Sequence, residues 1–148
     1  MATDEQFNEM SALLAKTNKA NPAKEDLDQL RAMLAKTPDL CNMVGNMALQ
    51  VKTRVFDHTY GDNEGAKISA AQHWVKLRDD LGFQQASPIE RQLIGHVCLC
   101  WLRLYLCEMR YQMIMEESPN IAVGEYWEKK LSMNQRRYLR AVETLAKV

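Results

Sequence analysis

Apolar positions along the chain recur three and four residues apart, the spacing of one face of a helix. Leu27, Leu30, Met33 and Leu34 form one such face, and Leu40, Val44, Met47, Val51 and Val55 a second. Ile68, Ala71, Trp74, Val75 and Leu81 form a third. No stretch alternates apolar and polar residues with a period of two, so the pattern predicts no strand. Breaks fall at 18–22, 37–38, 60–65, 82–88 and 118–124, where Gly, Pro, Asn and Ser gather. They leave six predicted helices, 3–18, 22–36, 38–58, 64–81, 88–117 and 121–147, with no internal repeat. The expected fold is all-α, a bundle of about six helices in a single domain over 1–148. Residues 1–21 are expected to be a loosely attached N-terminal helix.

Local chemistry supports these boundaries. Asn21-Pro22, Thr37-Pro38 and Ser87-Pro88 each place a capping residue before a proline. Proline at the first helical position loses nothing, because the N–H it lacks has no partner there. Thr3 with Gln6, and Ser87 with Glu90, have the spacing of a capping box. Gly82 supplies a left-handed stop.

The last two predicted helices differ in pattern. At about 100° per residue, apolar side chains cover more than half the circumference of 88–117. The remainder is a narrow stripe of Gln92, His96, Cys100, Arg103, Cys107 and Arg110. A helix wetted along one line is the central element of a bundle. On 121–147, Trp127, Leu131, Gln135, Tyr138, Val142 and Leu145 read as a coiled-coil-like seam with one polar member. Each helix is about 40 Å long at ~1.5 Å per residue, and the short link between them predicts a long antiparallel C-terminal hairpin.

Charge changes this picture in one place. The 148 residues hold 19 Lys+Arg and 19 Asp+Glu, a net charge of zero that argues against a whole-surface grip on nucleic acid or anionic lipid. The total is uneven, however. Residues 1–118 carry 13 basic and 16 acidic side chains, a balance of −3, and 119–148 carry six and three, a balance of +3. Lys129, Lys130, Arg136, Arg137, Arg140 and Lys147 supply that basic end. They form a candidate interaction surface for phosphates, for acidic protein surface or for a second copy of the chain.

The longest apolar run, Val97 to Cys107, is half the length of a bilayer span and is interrupted by Arg103, so no membrane partner is expected. Met1 to Met10 lacks the basic and apolar regions of a signal peptide. Cys98 and Cys100 lie too close on one helix to bridge, so Cys41, Cys98, Cys100 and Cys107 are expected as reduced thiols in a cytoplasm.

Catalytic and cofactor chemistry finds few parts. His96 and Cys100 lie four apart and can face one metal or act as a thiol–imidazole pair, with Cys107 two turns on. The paired Cys-x-x-Cys spacing of structural zinc is missing. Di-iron bundles need Glu-x-x-His, and the residues three before His58, His73 and His96 are Val55, Ala70 and Leu93. Phosphate-binding glycine motifs are absent. The 60–65 loop has Ala71 where a calcium loop needs its twelfth-position Glu. No cofactor and no metal are expected. The stripe of His96, Cys100, Arg103, Cys107 and Arg110 is then a semi-exposed helix face. Nine methionines are many for this length; Met109, Met113 and Met115 are expected to fill irregular gaps in the core.

An ordered set of phrases resembles a family of small, helical bacterial proteins, some encoded among mobile-element or phage-like genes. The phrases are Leu30-Arg31-Ala32-Met33-Leu34 and Thr37-Pro38-Asp39-Leu40. Ser87-Pro88-Ile89-Glu90-Arg91-Gln92-Leu93-Ile94 follows, leading into Cys100-Trp101-Leu102-Arg103-Leu104. Then come Tyr126-Trp127-Glu128-Lys129-Lys130-Leu131, Gln135-Arg136-Arg137-Tyr138-Leu139-Arg140-Ala141 and Thr144-Leu145-Ala146-Lys147-Val148. The resemblance covers the chain from about Leu27 onward. That family has no established activity, so the resemblance implies a helical fold and no catalytic residue. Its genetic setting implies nucleic-acid neighbours.

The leading expectation is therefore a non-enzymatic helical interaction or adaptor protein, self-associating or docking a partner protein through its last two helices. One alternative is nucleic-acid binding by the basic face of 121–147. Another is a metal- or thiol-dependent activity at His96 and Cys100.

Overall fold

The computed structural model describes residues 3–117 and 119–148. Among them are seven helices and no strand: α1 (Asp4–Thr17), α2 (Lys24–Lys36), α3 (Pro38–Gly45), α4 (Met47–Tyr60), α5 (Glu64–Asp80), α6 (Pro88–Glu117) and α7 (Ile121–Leu145). The fold is all-α, and no helix among the described residues is long and apolar enough to cross a membrane. Ser118, in the expected break before α7, lies outside the described residues.

The expected 38–58 helix is two helices. Gly45 is a poor helix former, and the Asn46 side chain accepts from the Leu49 N–H at 3.2 Å, starting a new helix. The break ruins the apolar face expected there: Leu40 is buried and Val44 half-buried, but Met47 and Val51 are exposed. The Asn21-Pro22 cap is also corrected. Asn21 adopts φ +56°, a left-handed conformation that Asn tolerates better than most residues, and α2 begins two residues later behind Ala23 with no side-chain cap. Pro38 does open α3, although Thr37 makes no side-chain cap bond. The Thr3–Gln6 box is complete. In the other box, the Ser87 N–H donates to the Glu90 carboxylate at 2.6 Å and the Glu90 N–H donates back to the Ser87 hydroxyl at 3.4 Å. Gly82 has φ +81°, the expected left-handed stop.

The described residues group into two compact units, one ending at Thr53 and one beginning at Arg54. In the first, α1 packs on α2 and α2 on α3. Met10, Leu13 and Leu40 are its buried apolar side chains. The α2 face of Leu27, Leu30, Met33 and Leu34 is half-buried, as its spacing predicts.

The second unit is organised around α6, which alone supplies Ile94, Val97, Cys98, Cys100, Leu102 and Cys107 to the interior. One cluster joins Ile94, Cys98 and Leu102 to Phe56 of α4 and Trp74 of α5. The other joins Val97 and Cys100 to Ala141 of α7. The turn into α6 is clamped by two arginines. The Arg78 guanidinium lies 3.5 Å from the centre of the Phe83 ring, and Arg91 donates to the carbonyls of Phe83 and Gln84 at 3.2 and 3.1 Å.

Helices α6 and α7 form the antiparallel hairpin. Met115 lies against Gly124, Tyr111 beside Glu128, and Cys100 and Val97 near Ala141. The seam on α7 differs from its expected membership. Trp127, Leu131, Tyr138 and Leu145 hold their places, but Asn134 and Ala141 replace Gln135 and Val142. Ala141 is 6% exposed and Val142 37%. The resulting 4-3-4-3-4 spacing is the regular alternation of a coiled-coil-like seam, and a small side chain at 141 lets α7 approach Val97 and Cys100 closely.

Ala141→Leu is therefore expected to lower stability by about 1–3 kcal/mol through overpacking. Val142→Ala is expected to stay within ~0.5 kcal/mol. Urea denaturation of both variants checks the seam, and the reverse ranking would contradict it.

Candidate functional site

The two candidate surfaces read from the sequence meet in one groove between α6 and α7. Leu93, His96, Cys100 and Arg103 line it from α6. Asn134, Arg137, Arg140, Ala141 and Thr144 line it from α7, and the groove encloses about 410 Å³. Each helix contributes residues at the same intervals of three, seven and ten, the spacing of one helical face. Because the helices are antiparallel, Leu93 stands toward the Thr144 end and Arg103 toward the Asn134 end.

The floor and the walls differ chemically. Cys100 is buried at the base, and the exposed His96 ring lies 3.6 Å from its sulfur through Nε2. Arg103, Arg137 and Arg140 are exposed. None of the three makes an ion pair with a carboxylate among the described residues, and no acidic side chain lines the groove. Three cationic side chains held about one concavity repel one another, and an anion placed between them relieves that repulsion. Guanidinium groups suit carboxylate or phosphate through paired N–H donors.

Not every expected residue joins this site. Cys107 is buried rather than semi-exposed. The exposed Arg110 side chain reaches α4, where it donates to His58 Nε2 at 2.9 Å, so that ring nitrogen acts as acceptor. Lys129, Lys130, Arg136 and Lys147 are exposed but do not line the groove. The Lys130 ammonium lies over the rings of Tyr126 and Trp127, 4.8 and 5.9 Å from their centres. Arg136 donates to the Ser132 carbonyl at 3.4 Å. Leu93, Asn134, Ala141 and Thr144 line the groove without being expected from the sequence. The signal for the two polar ones is their helical register with Arg137, visible once Ala141 rather than Val142 is placed in the seam.

A nucleophilic cysteine needs its pKa lowered. Burial pushes the Cys100 thiol up, and the nearby Arg103 and Arg137 charges only partly oppose it. Among the described residues, no group of three or more His, Cys, Asp or Glu side chains is placed to hold a metal ion.

No protein-family model, curated protein or solved structure matches this chain.

In the native protein Cys41 is exposed while Cys98, Cys100 and Cys107 are buried, so one thiol is expected to react rapidly with Ellman's reagent and three only on unfolding. A second fast thiol would mean that Cys100 is open to the groove. Burial also pushes the Cys98 thiol from its ordinary 9.0 up to about 11. The unfolded chain then ionises this group first, so its contribution to stability is intact below pH 9 and is lost as pH rises toward 11. Cys98→Ala is expected to flatten that part of the pH–stability curve, measured by thermal melts from pH 8 to 11.

Proposed function

We propose that this chain is a non-enzymatic helical interaction protein that docks an acidic segment of a partner protein in the groove between α6 and α7. The observation that carries the reading is the convergence of Arg103, Arg137 and Arg140 on one concavity that contains no carboxylate. From Asn134 to Thr144 the groove follows eleven residues of α7, roughly 15 Å over ten rises of 1.5 Å. That length accommodates a few carboxylates along a short peptide. It is short for a nucleic-acid backbone, and the zero net charge adds no wider attraction for one.

Nucleic-acid binding is a second reading, favoured by one feature. Lys129, Arg136 and Lys147 carry positive charge around the outside of α7, beyond the groove lining. The two readings differ in which side chains matter. Docking in the groove depends on Arg103 and Arg137, while a phosphate track along the outer face depends on Lys129, Arg136 and Lys147.

Fluorescence anisotropy with a labelled ten-residue Asp/Glu-rich peptide and a labelled 20-nucleotide DNA separates them. The peptide is expected to bind in low salt, to weaken as salt rises, and to lose about tenfold in affinity in the Arg103→Gln/Arg137→Gln variant. DNA binding with a steep salt slope that follows Lys129, Arg136 and Lys147 instead would favour the second reading. Peptide affinity indifferent to the arginine pair would sink the proposal.

A further inference from the structure

The second unit holds another concavity, separate from the arginine groove and opposite in chemistry. Helices α4, α5 and α6 enclose a cleft of about 650 Å³ lined by five aromatic residues, Phe56, Tyr60, Trp74, Trp101 and Tyr105. Its volume lies in the range of small-molecule sites, roughly 300–1,000 Å³. It spans residues 101–109 on α6 and 66–74 on α5, about 12 Å along either helix. That is compact for a docked helix of several turns and suits a ligand of two or three fused rings.

The rings fall into two groups. Deep in the cleft, Phe56 meets Trp74 edge-on with ring centres 6.4 Å apart, and Tyr60 lies 6.2 Å from Phe56. At the rim, His73, Trp101 and Tyr105 form a ladder with ring centres 5.3 and 5.0 Å apart. Tyr105 is 54% exposed and Met109 45%. The expected use of Met109 as core filling is therefore corrected: it lines the cleft and faces water, and Met113, also exposed, is no core filler either. Thioether and aromatic faces in water at a concave site offer adaptable apolar contact.

One charge breaks this surface. The Glu108 carboxylate is the sole Asp, Glu, Lys or Arg in the lining, and it makes no ion pair among the described residues. Negative ring faces and a single unneutralised carboxylate share one electrostatic preference, because both attract a cation and both disfavour an anion. An uncharged aromatic ligand would use the rings and leave the carboxylate unmatched.

We propose that the cleft between α4, α5 and α6 is a binding site for a planar, hydrophobic organic cation, held against the aromatic surface of Trp101 and Tyr105 with its charge toward Glu108. The site is independent of the acidic-peptide reading of the arginine groove, since the two share no lining residue.

Titration of the full chain with three tricyclic probes of similar size tests it: proflavine as the cation, acridone as the neutral ring system and anthracene-2-carboxylate as the anion. Quenching of tryptophan fluorescence and probe anisotropy report binding. Wild type is expected to rank cation above neutral above anion. Glu108→Gln is expected to weaken proflavine about fivefold or more while leaving acridone within twofold. Tyr105→Ala is expected to weaken both, and Arg137→Gln neither. Glu108 is half-buried and Tyr105 exposed, and circular dichroism checks that both variants fold. The wild-type ranking stands as a test if either does not. Proflavine binding no tighter than acridone, or unaffected by Glu108→Gln, would overturn the assignment. So would the absence of binding by any of the three probes.

Discussion

Two apolar surfaces of α6 leave water in different directions. Ile94, Cys98 and Leu102 pack with Phe56 and Trp74 from α4 and α5, while Val97 and Cys100 pack with Ala141 of α7. A helix buried on both sides has little circumference left for polar groups, and small side chains must fill the places where neighbours come closest. Cysteine and alanine do so here. Fully burying a side chain of the size of Ile94 contributes on the order of 2–3 kcal/mol, so these contacts outweigh any surface ion pair in the unit.

Close packing on the α7 side has an electrostatic consequence. With Ala141 at the seam, the α7 residues flanking it, Arg137 and Arg140, come to the same groove as Arg103. Apolar burial of Val97 and Cys100 thus holds like charges near one another at an electrostatic cost. The same packing raises the pKa of the groove's thiol. Cys100 is there as a small apolar group, and the low-polarity surroundings that stabilise it also keep it protonated.

On the other side of α6, aromatic bulk replaces small residues. The rings do not fill the space between α4, α5 and α6, and part of the surface stays open at Trp101, Tyr105 and Met109. Within one unit α6 therefore separates a cationic groove from an aromatic cleft bearing a single carboxylate. The polar line and the apolar line that α6 leaves to solvent correspond to those two concavities.

Much of this was legible in the order of residues. Period-of-three-and-four spacing, the Ser87–Glu90 box and the Gly82 stop placed α6 and identified it as the central helix. The short link predicted its hairpin with α7, because these are local preferences of a few neighbouring residues. The break at Asn46 was less visible, since a single side-chain cap competed with a continuous apolar face. Misassigning Val142 to the seam has a plain cause: hydrophobicity ranks Val above Ala, but close approach of two helices selects the smaller side chain. Burial of Cys107, exposure of Met109 and the reach of Arg110 to His58 depend on which neighbour each side of α6 meets. The sequence by itself determined that the chain is helical, where most helices begin and end, and that positive charge gathers on α7. Only the tertiary structure decided that this charge shares a groove with Arg103 and His96, and that Glu108 stands alone among rings contributed by three helices. Helix formation is read within a few turns, whereas a concavity is made by residues dozens of positions apart and exists only once their helices have packed.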